Sequence, residues 1–482
     1  MKSRREFLQL TGRTAVAAGA VRSIFSTAQT ANHSSRTLIH NGEGLLALQQ
    51  SFVDLRFGMF LHLNMATFQD REWGDPSSQP DLFHPTALDT DQWATAAKSA
   101  KMTWGCLTTR HHDGFCLWPT TTHASSVVQT TQKTDVVRAY ADSFRKAGLR
   151  VGLYYSILSL RDDIRHFNVT PKKVQLIKDQ LTELFSNYGE IDIFITDGWD
   201  APWSRISYEE VPFRAIYEHI KVLQPRCLIC DLNAASYPTG GLYYSDIKAF
   251  EQNAGQRVPQ SSDLPALSCV TLTEQWFWKQ ADVHGPLKTA ETVVNEWLIP
   301  LNRRQCNLIL NAPPTREGKL APNVTERLAE IGRLWNPGPP ASRLTPHPII
   351  STANLATGKP IHASSSPDTL GPDMANDGNF RSAWSPDDFD AAPWLEVDLQ
   401  SEHRVSVIAL VQTESENPAS LIKSFSFERW NGSSWASMAQ SQNPAPTTIL
   451  TIQPVNTRRI RVRLERGPGS PIIADIGLYN EP

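Results

Sequence analysis

From about residue 50 to residue 335, short apolar runs alternate with amphipathic stretches, and this alternation leaves the chain few folds to choose from. The runs are Phe57–Leu61, Trp104–Thr108, Arg150–Tyr155, Ile191–Thr196, Cys227–Cys230 and Cys306–Leu310. Each is short and apolar on both faces, as a strand reads when helices cover both sides of a parallel sheet. The intervening stretches supply those helices. Thr170 to Tyr188 has Pro171 at its start and Gly189 as its stop, and a second helix is expected from about Pro212 to Leu223. No glycine-rich phosphate loop follows a run, so about 285 residues of this pattern predict an α/β fold, a (β/α)8 TIM-like barrel rather than a doubly wound sheet.

Cys227-Leu228-Ile229-Cys230 has the spacing of a redox or zinc motif. Its alternate side chains would face opposite sides of a strand and no second such pair accompanies it, so it reads as a buried strand. Six cysteines in 482 residues do not make a disulfide scaffold.

The two ends of the chain read differently from the middle. Ser3-Arg4-Arg5-Glu6-Phe7-Leu8, a modestly apolar stretch from Thr14 to Phe25 and the small residues Ser26-Thr27-Ala28 predict a twin-arginine-type export signal over residues 1–31, with an ordinary secretory signal as the alternative. The stretch is too short for a membrane span, and either signal would deliver the protein to the periplasm or beyond the cell. Residues 32–340 then form the barrel domain. Too many prolines follow Trp335 for a regular element, which marks 341–349 as a linker. From 350 to 482 the chain turns to short alternating stretches such as Trp394–Leu399, Val405–Leu410 and Arg459–Leu464, the texture of an all-β sandwich, a jelly roll.

Polar clusters follow the barrel runs: His62, His111-His112-Asp113, Tyr155-Ser156, Asp197 and Asp231-Leu232-Asn233. Strand C-terminal ends converge on one face of a barrel, so these residues would share a pocket, which is the pattern of an enzyme. Nucleic acid is excluded as a partner, because 46 Lys+Arg against 49 Asp+Glu leave a net charge of -3 and no basic stripe is interleaved with aromatics. The 14 Trp and 19 Phe offer flat faces suited to sugars, although most such residues fill cores. Hydrolysis of a glycosidic bond needs one ionised and one protonated carboxyl group. Asp197 suits the ionised role, since it ends an apolar strand and Gly198 would let the backbone turn. On pattern alone it could equally cap the following helix.

Thr109-Arg110-His111-His112-Asp113-Gly114-Phe115-Cys116-Leu117-Trp118-Pro119 resembles the most distinctive motif of the α-L-fucosidase family, glycoside hydrolase family 29. Phe57-Gly58-Met59-Phe60-Leu61-His62 with Arg71-Glu72-Trp73-Gly74 is similar to its N-terminal signature, Asn187-Tyr188-Gly189-Glu190-Ile191-Asp192 leading into Asp197-Gly198 to its nucleophile strand, and Asn307-Leu308-Ile309-Leu310-Asn311 to its closing strand. The resemblance implies a retaining, exo-acting enzyme that removes terminal α-L-fucose from fucosylated glycans without a cofactor, through a covalent intermediate on Asp197. It implies that His62, Glu72, Trp73, His111, His112 and Tyr155 contact the sugar. Trp276 would stack on its ring or methyl group, or else be a plain core residue. Glu251 is the acid/base candidate, with Glu274 as its rival. Leu63 and Ile195 stand where the family usually carries tryptophan, which leaves linkage preference open.

The stretch from Asn354-Leu355-Ala356 through Asp377-Gly378-Asn379 and Trp384 to Trp394–Leu399 resembles discoidin-like domains. That resemblance implies a sugar-binding module or a structural buttress, either able to hold a structural calcium. Two other functions compete. A metal-dependent hydrolase would use His62, His111, His112, His123 and Asp197, but no His-x-His or His-Glu-x-x-His spacing is present. A sugar-binding protein that has lost its chemistry is the other.

Overall fold

The computed structural model describes residues 42–122, 124–283, 285–339, 342–413 and 421–482. The expected export signal, 1–31, and His123 lie outside them. The chain divides into two units, Met1–Leu45 and Leu46–Pro482, and both folded domains lie in the second.

Eight parallel strands build the barrel: β1 Phe57–Leu61, β2 Trp104–Arg110, β3 Arg150–Ser156, β4 Ile193–Asp197, β5 Leu228–Asp231, β7 Lys248–Glu251, β8 Ala266–Thr271 and β9 Cys306–Asn311. They pair in the order β5-β4-β3-β2-β1-β9-β8-β7. Their runs are short because each crosses a barrel wall buried on both faces, and the inward side chains fill the lumen. The helix Val136–Lys146 shows how the outer layer attaches. Asp135 caps it by accepting from the Arg138 N–H at 2.9 Å, and Val136, Val137, Tyr140, Ala141 and Phe144 form one buried face. A Cβ at Gly105 of β2 would sit 2.2 Å from the Phe144 ring, so glycine lets helix and strand approach.

The seam between β5 and β7 is closed by side chains. Asp246 accepts from the Ile229 N–H (2.9 Å), Tyr217 Oη (2.9 Å) and Lys221 Nζ (2.8 Å), while its own N–H donates to Ile229 O. Lys248, buried, donates to the carbonyls of Ala234, Tyr237 and Pro238. The connections on either side of β7 carry 3-10 turns, Asn233–Ser236 and Gln252–Ala254, where a regular barrel has helices.

Cys227 immediately precedes β5 and Cys230 lies within it, so the pair sits on a buried strand, and all six cysteines are buried and free. No helix among the described residues is long and apolar enough to cross a membrane.

Of the segment 341–349, expected as a linker, the described residues 342–349 are strapped to the barrel. Gln305 Nε2 donates to Ser342 O (2.7 Å), and Leu344 N–H donates to Gln50 Oε1 (2.9 Å). It leads into β10 (Ile349–Ile350), which pairs with β6 (Leu242–Tyr243) in the β5–β7 connection. Beyond lie six antiparallel strands: β11 Ile361–Ala363, β12 Trp394–Gln412, β13 Ile422–Trp430, β14 Trp435–Gln442, β15 Thr447–Arg466 and β16 Ile473–Tyr479. They enclose a separate core around Trp384, Leu395, Phe427, Val462 and Leu478.

Candidate active site

Asp197 is the last residue of β4, and the chain turns sharply behind it. Gly198 has φ +93°, and a Cβ there would lie 2.8 Å from the Leu158 nitrogen, so only glycine fits. The turn lets the Gly198 N–H donate to Asp197 Oδ1 (2.7 Å), which also accepts from Asn233 Nδ2 (2.8 Å). Oδ2 accepts from the Tyr154 hydroxyl (2.8 Å). Three donors hold the carboxylate in one orientation.

Glu251 ends β7, and its carboxyl is pushed up to about 7 by burial and then by the charge of Asp197, against a hydrogen bond from the Trp276 side chain. Two carboxyl groups thus face one cavity, and burial together with the Asp197 charge makes Glu251 hold its proton to higher pH than an ordinary carboxyl. Glu274, the rival, is on the exposed rim with its Oε1 3.6 Å from Lys288 Nζ.

A chain of contacts orients the remaining polar groups. Asn311, ending β9, donates from Nδ2 to Trp276 O (2.8 Å), so its Oδ1 accepts from His62 Nδ1 (2.6 Å) and His62 presents Nε2 as an acceptor. Ser156 donates to Leu158 O (2.8 Å), so it accepts from His112 Nδ1 (2.7 Å), and His112 Nε2 lies 3.7 Å from Asp197 Oδ2. Burial lowers all three imidazoles: His62 to about 3, His112 to about 4 against the pull of Asp197, and His111 far below its ordinary value. They are neutral, mixed donor–acceptor groups of the kind sugar hydroxyls require. Glu72 Oε2 accepts from the Trp276 N–H (3.1 Å), Lys279 stands 3.4 Å from Oε1, and burial raises the carboxyl.

These residues line one cavity of about 470 Å³, which holds His62, Glu72, Trp73, His111, His112, Asp197, Glu251, Glu274 and Trp276. Tyr155 is not among them. Its hydroxyl donates to Gln180 Oε1 (2.7 Å) on the helix Pro171–Asn187, and the Arg110 guanidinium lies 4.1 Å from its ring centre. Successive residues of a strand point to opposite faces, so Tyr154 enters the barrel and Tyr155 enters the helix layer. The expected sugar contact by Tyr155 is therefore corrected: Tyr154 lines the cavity in its place.

Asn233, from the cluster expected at the end of β5, does line the cavity, whereas sequence reasoning missed Trp203 and Phe277, on loops, and Asn253, in the turn Gln252–Ala254. Trp203 is 45 % exposed and Trp73 37 %, so both offer open indole faces. Their rings stand edge to face at 5.0 Å, and each lies 4.5 Å from the His112 ring. Leu63 and Ile195, in contrast, are buried in the barrel core. The available signal for Trp203 was a tryptophan six residues beyond Asp197. Among the described residues no three His, Cys, Asp or Glu side chains are grouped to hold a metal ion.

A family profile described as Alpha-L-fucosidase matches residues 25–336, and one described as F5/8 type C domain matches residues 360–476. Alpha-L-fucosidase 1 of Arabidopsis thaliana is 26% identical over 487 residues, covering 95% of this chain and 92% of that protein. Plasma alpha-L-fucosidase of Homo sapiens is 25% identical over 269 residues, covering 52% of this chain and 54% of that protein. The crystal structure of SpGH29 superposes with a TM-score of 0.51 at 23% identity over 90% of this chain and 98% of that one, a likeness of fold.

Proposed function

The chain belongs to the α-L-fucosidase family, glycoside hydrolase family 29, and on that premise we propose that it removes terminal α-L-fucose from glycans by a retaining double displacement. In the first step an Asp197 oxygen attacks the anomeric carbon. The bond to the leaving oxygen breaks, and Glu251 gives that oxygen its proton. In the second step Glu251, now ionised, takes a proton from water as the water oxygen displaces Asp197, and fucose leaves with its original configuration. The observation that carries this reading is the pair itself: an Asp197 carboxylate held by three donors and a Glu251 carboxyl raised to about 7 partly by that charge.

His62, His111, His112, Glu72, Trp73 and Trp276 are the proposed sugar contacts, with the tilted Trp276 and His62 rings, 5.1 Å apart, forming a wall. Proton NMR of an aryl α-L-fucoside digest tests the mechanism. The α-anomer of fucose should appear first, and initial release of the β-anomer would refute retention. Replacing Asp197 with Ala separates enzyme from lectin, because turnover should fall by orders of magnitude while sugar binding persists.

The calcium implied by the C-terminal resemblance would be held by Asp475 and Asp377. Asp475 is buried, its carboxyl pushed up to about 8 by burial and then by the Asp377 charge, and a hard dication would relieve that repulsion. Export by the twin-arginine route to the periplasm or beyond remains part of the proposal, resting on Arg4-Arg5 and the residues after them. A reporter fused behind residues 1–31 tests it, since paired Lys replacements of those arginines should retain the reporter inside.

A further inference from the structure

Beside the catalytic cavity, and sharing Asn253 with it, a second cleft of about 510 Å³ opens along the outer wall of the barrel. Its size falls within the range of roughly 300–1,000 Å³ usual for small-molecule sites. The cleft exists because the β7–β8 connection carries only the turn Gln252–Ala254, leaving Ser268 and Val270 of β8 as its floor. The opposite wall is a π-helical segment, Thr292–Leu298, in which the Ile299 N–H reaches back five residues to Val294 O. Such segments are rare and concentrate at functional sites. This one places Glu296 and the partly exposed Trp297 on the cleft.

Three cations share the lining: Arg257, Lys288 and Arg304. Arg257 donates to the carbonyls of Gln252 and Gln256, and Arg304 donates to Val258 O. Every hydrogen bond they make goes to a main-chain carbonyl, so among the described residues both guanidinium charges lack a carboxylate partner. Lys288 lies 3.6 Å from Glu274 at the rim of the catalytic cavity, and Glu296 is the single carboxylate of the lining. An indole face, side-chain amides from Gln252, Asn253 and Gln260, and two guanidinium forks are the groups that recognise a sugar bearing a planar or tetrahedral anion.

We propose that this cleft is a second glycan-binding site, taking an anionic sugar unit, sulfated or carboxylated, of the same chain whose terminal fucose enters the catalytic cavity. The inference rests on the fucosidase reading for the order of the sugars, and on the cleft's own charge for their chemistry. Asn253, common to both linings, marks where the chain would pass from one to the other.

The test compares three fucosylated oligosaccharides, identical except that the sugars beyond fucose are neutral, sulfated or carboxylated. At low salt the sulfated or the carboxylated substrate should have kcat/KM about tenfold above the neutral one through a lower KM, and the advantage should shrink toward one as salt approaches about 0.5 M. A preference for sulfate or for carboxylate supports the site and identifies its anion. In a double R257Q/R304Q variant whose melting temperature matches the parent, the ratio should fall close to one. Equal kcat/KM for all three substrates at low salt overturns the proposal, as does an advantage that survives the double substitution. Should no fucoside be turned over, calorimetric titration with the sulfated oligosaccharide separates the two readings. Saturable binding that the double variant loses upholds the cleft while the activity reading fails, and an absence of binding overturns the cleft as well.

Discussion

Asp197 takes one hydrogen bond from a tyrosine, and that bond belongs to Tyr154, not to its neighbour. A hydrogen bond to a charged group contributes about 1.5–3 kcal/mol, so Tyr154→Phe should lower kcat roughly 10- to 100-fold, while Tyr155→Phe should lower the melting temperature and leave kcat near its starting value. Steady-state kinetics on both variants check this, and a larger kinetic loss in Tyr155→Phe would reverse the assignment. Glu251 makes the pH dependence specific. The first step needs its neutral form, which dominates below about 7 and is depleted above it, so kcat/KM should fall about tenfold per pH unit on the alkaline side. Glu251→Gln should remove that limb along with most of the activity, and an unchanged alkaline limb in the residual rate would point to another acid. Most of the cavity was legible because its residues sit in contiguous motifs: His111 and His112 together, Glu72 beside Trp73, Asp197 before Gly198. The choice between Tyr154 and Tyr155 was not. In a strand buried on both faces two adjacent tyrosines carry no periodic signal, and only the register of β3 against its neighbours decides. Trp203 and Phe277 were missed for a related reason, since loop geometry is not written in periodicity.

At the scale of elements, the runs read from sequence became β1 to β5 and β9, while β7 and β8 went unrecognised. Lys248-Ala249-Phe250-Glu251 opens and closes on charge, and Ala266–Thr271 is built largely of small or hydroxylated residues, so neither looks like a buried strand. The Lys248 ammonium is tolerated in the wall because the carbonyls of Ala234, Tyr237 and Pro238 receive it. One four-residue strand thus joins the closure of the seam to the placement of Glu251. Lys248→Met removes the donor from three carbonyls and should destabilise the protein by about 2–4 kcal/mol in denaturant titration. It should also shift the alkaline limb of the pH profile, because Glu251 loses its fixed depth in the cavity. Destabilisation without any shift of that limb would separate seam from site. The connections without helices escape sequence reading too, because a missing crossover leaves no pattern of its own.

At the scale of the molecule, the two domains share more than a linker. Ile350, Val407, Ala409 and Tyr479 belong to the same buried cluster as the barrel core. An aromatic series continues the junction inward: Phe380 lies 5.6 Å from Tyr237, Tyr237 lies 5.4 Å from Tyr244, and Tyr244 stacks on Tyr208 at 3.7 Å and 5°. The Tyr208 hydroxyl donates to Asp231 (2.6 Å), two residues before the Asn233 that holds Asp197. A boundary that the sequence marks by prolines is therefore a packed interface, and although each domain keeps its own core, this shared buried cluster is expected to couple their unfolding. Scanning calorimetry should show one transition for the full chain, which chelation of calcium moves to lower temperature if Asp475 and Asp377 hold the ion. Tyr244→Ala removes the central ring of the series at about 3–5 kcal/mol and should split that transition into two while lowering kcat, since Asp231 and the Asn233 turn lose their support. Two transitions in the unaltered protein would mean that the cluster does not couple the domains, and the C-terminal strands would then owe their attachment to β6 and β10 alone.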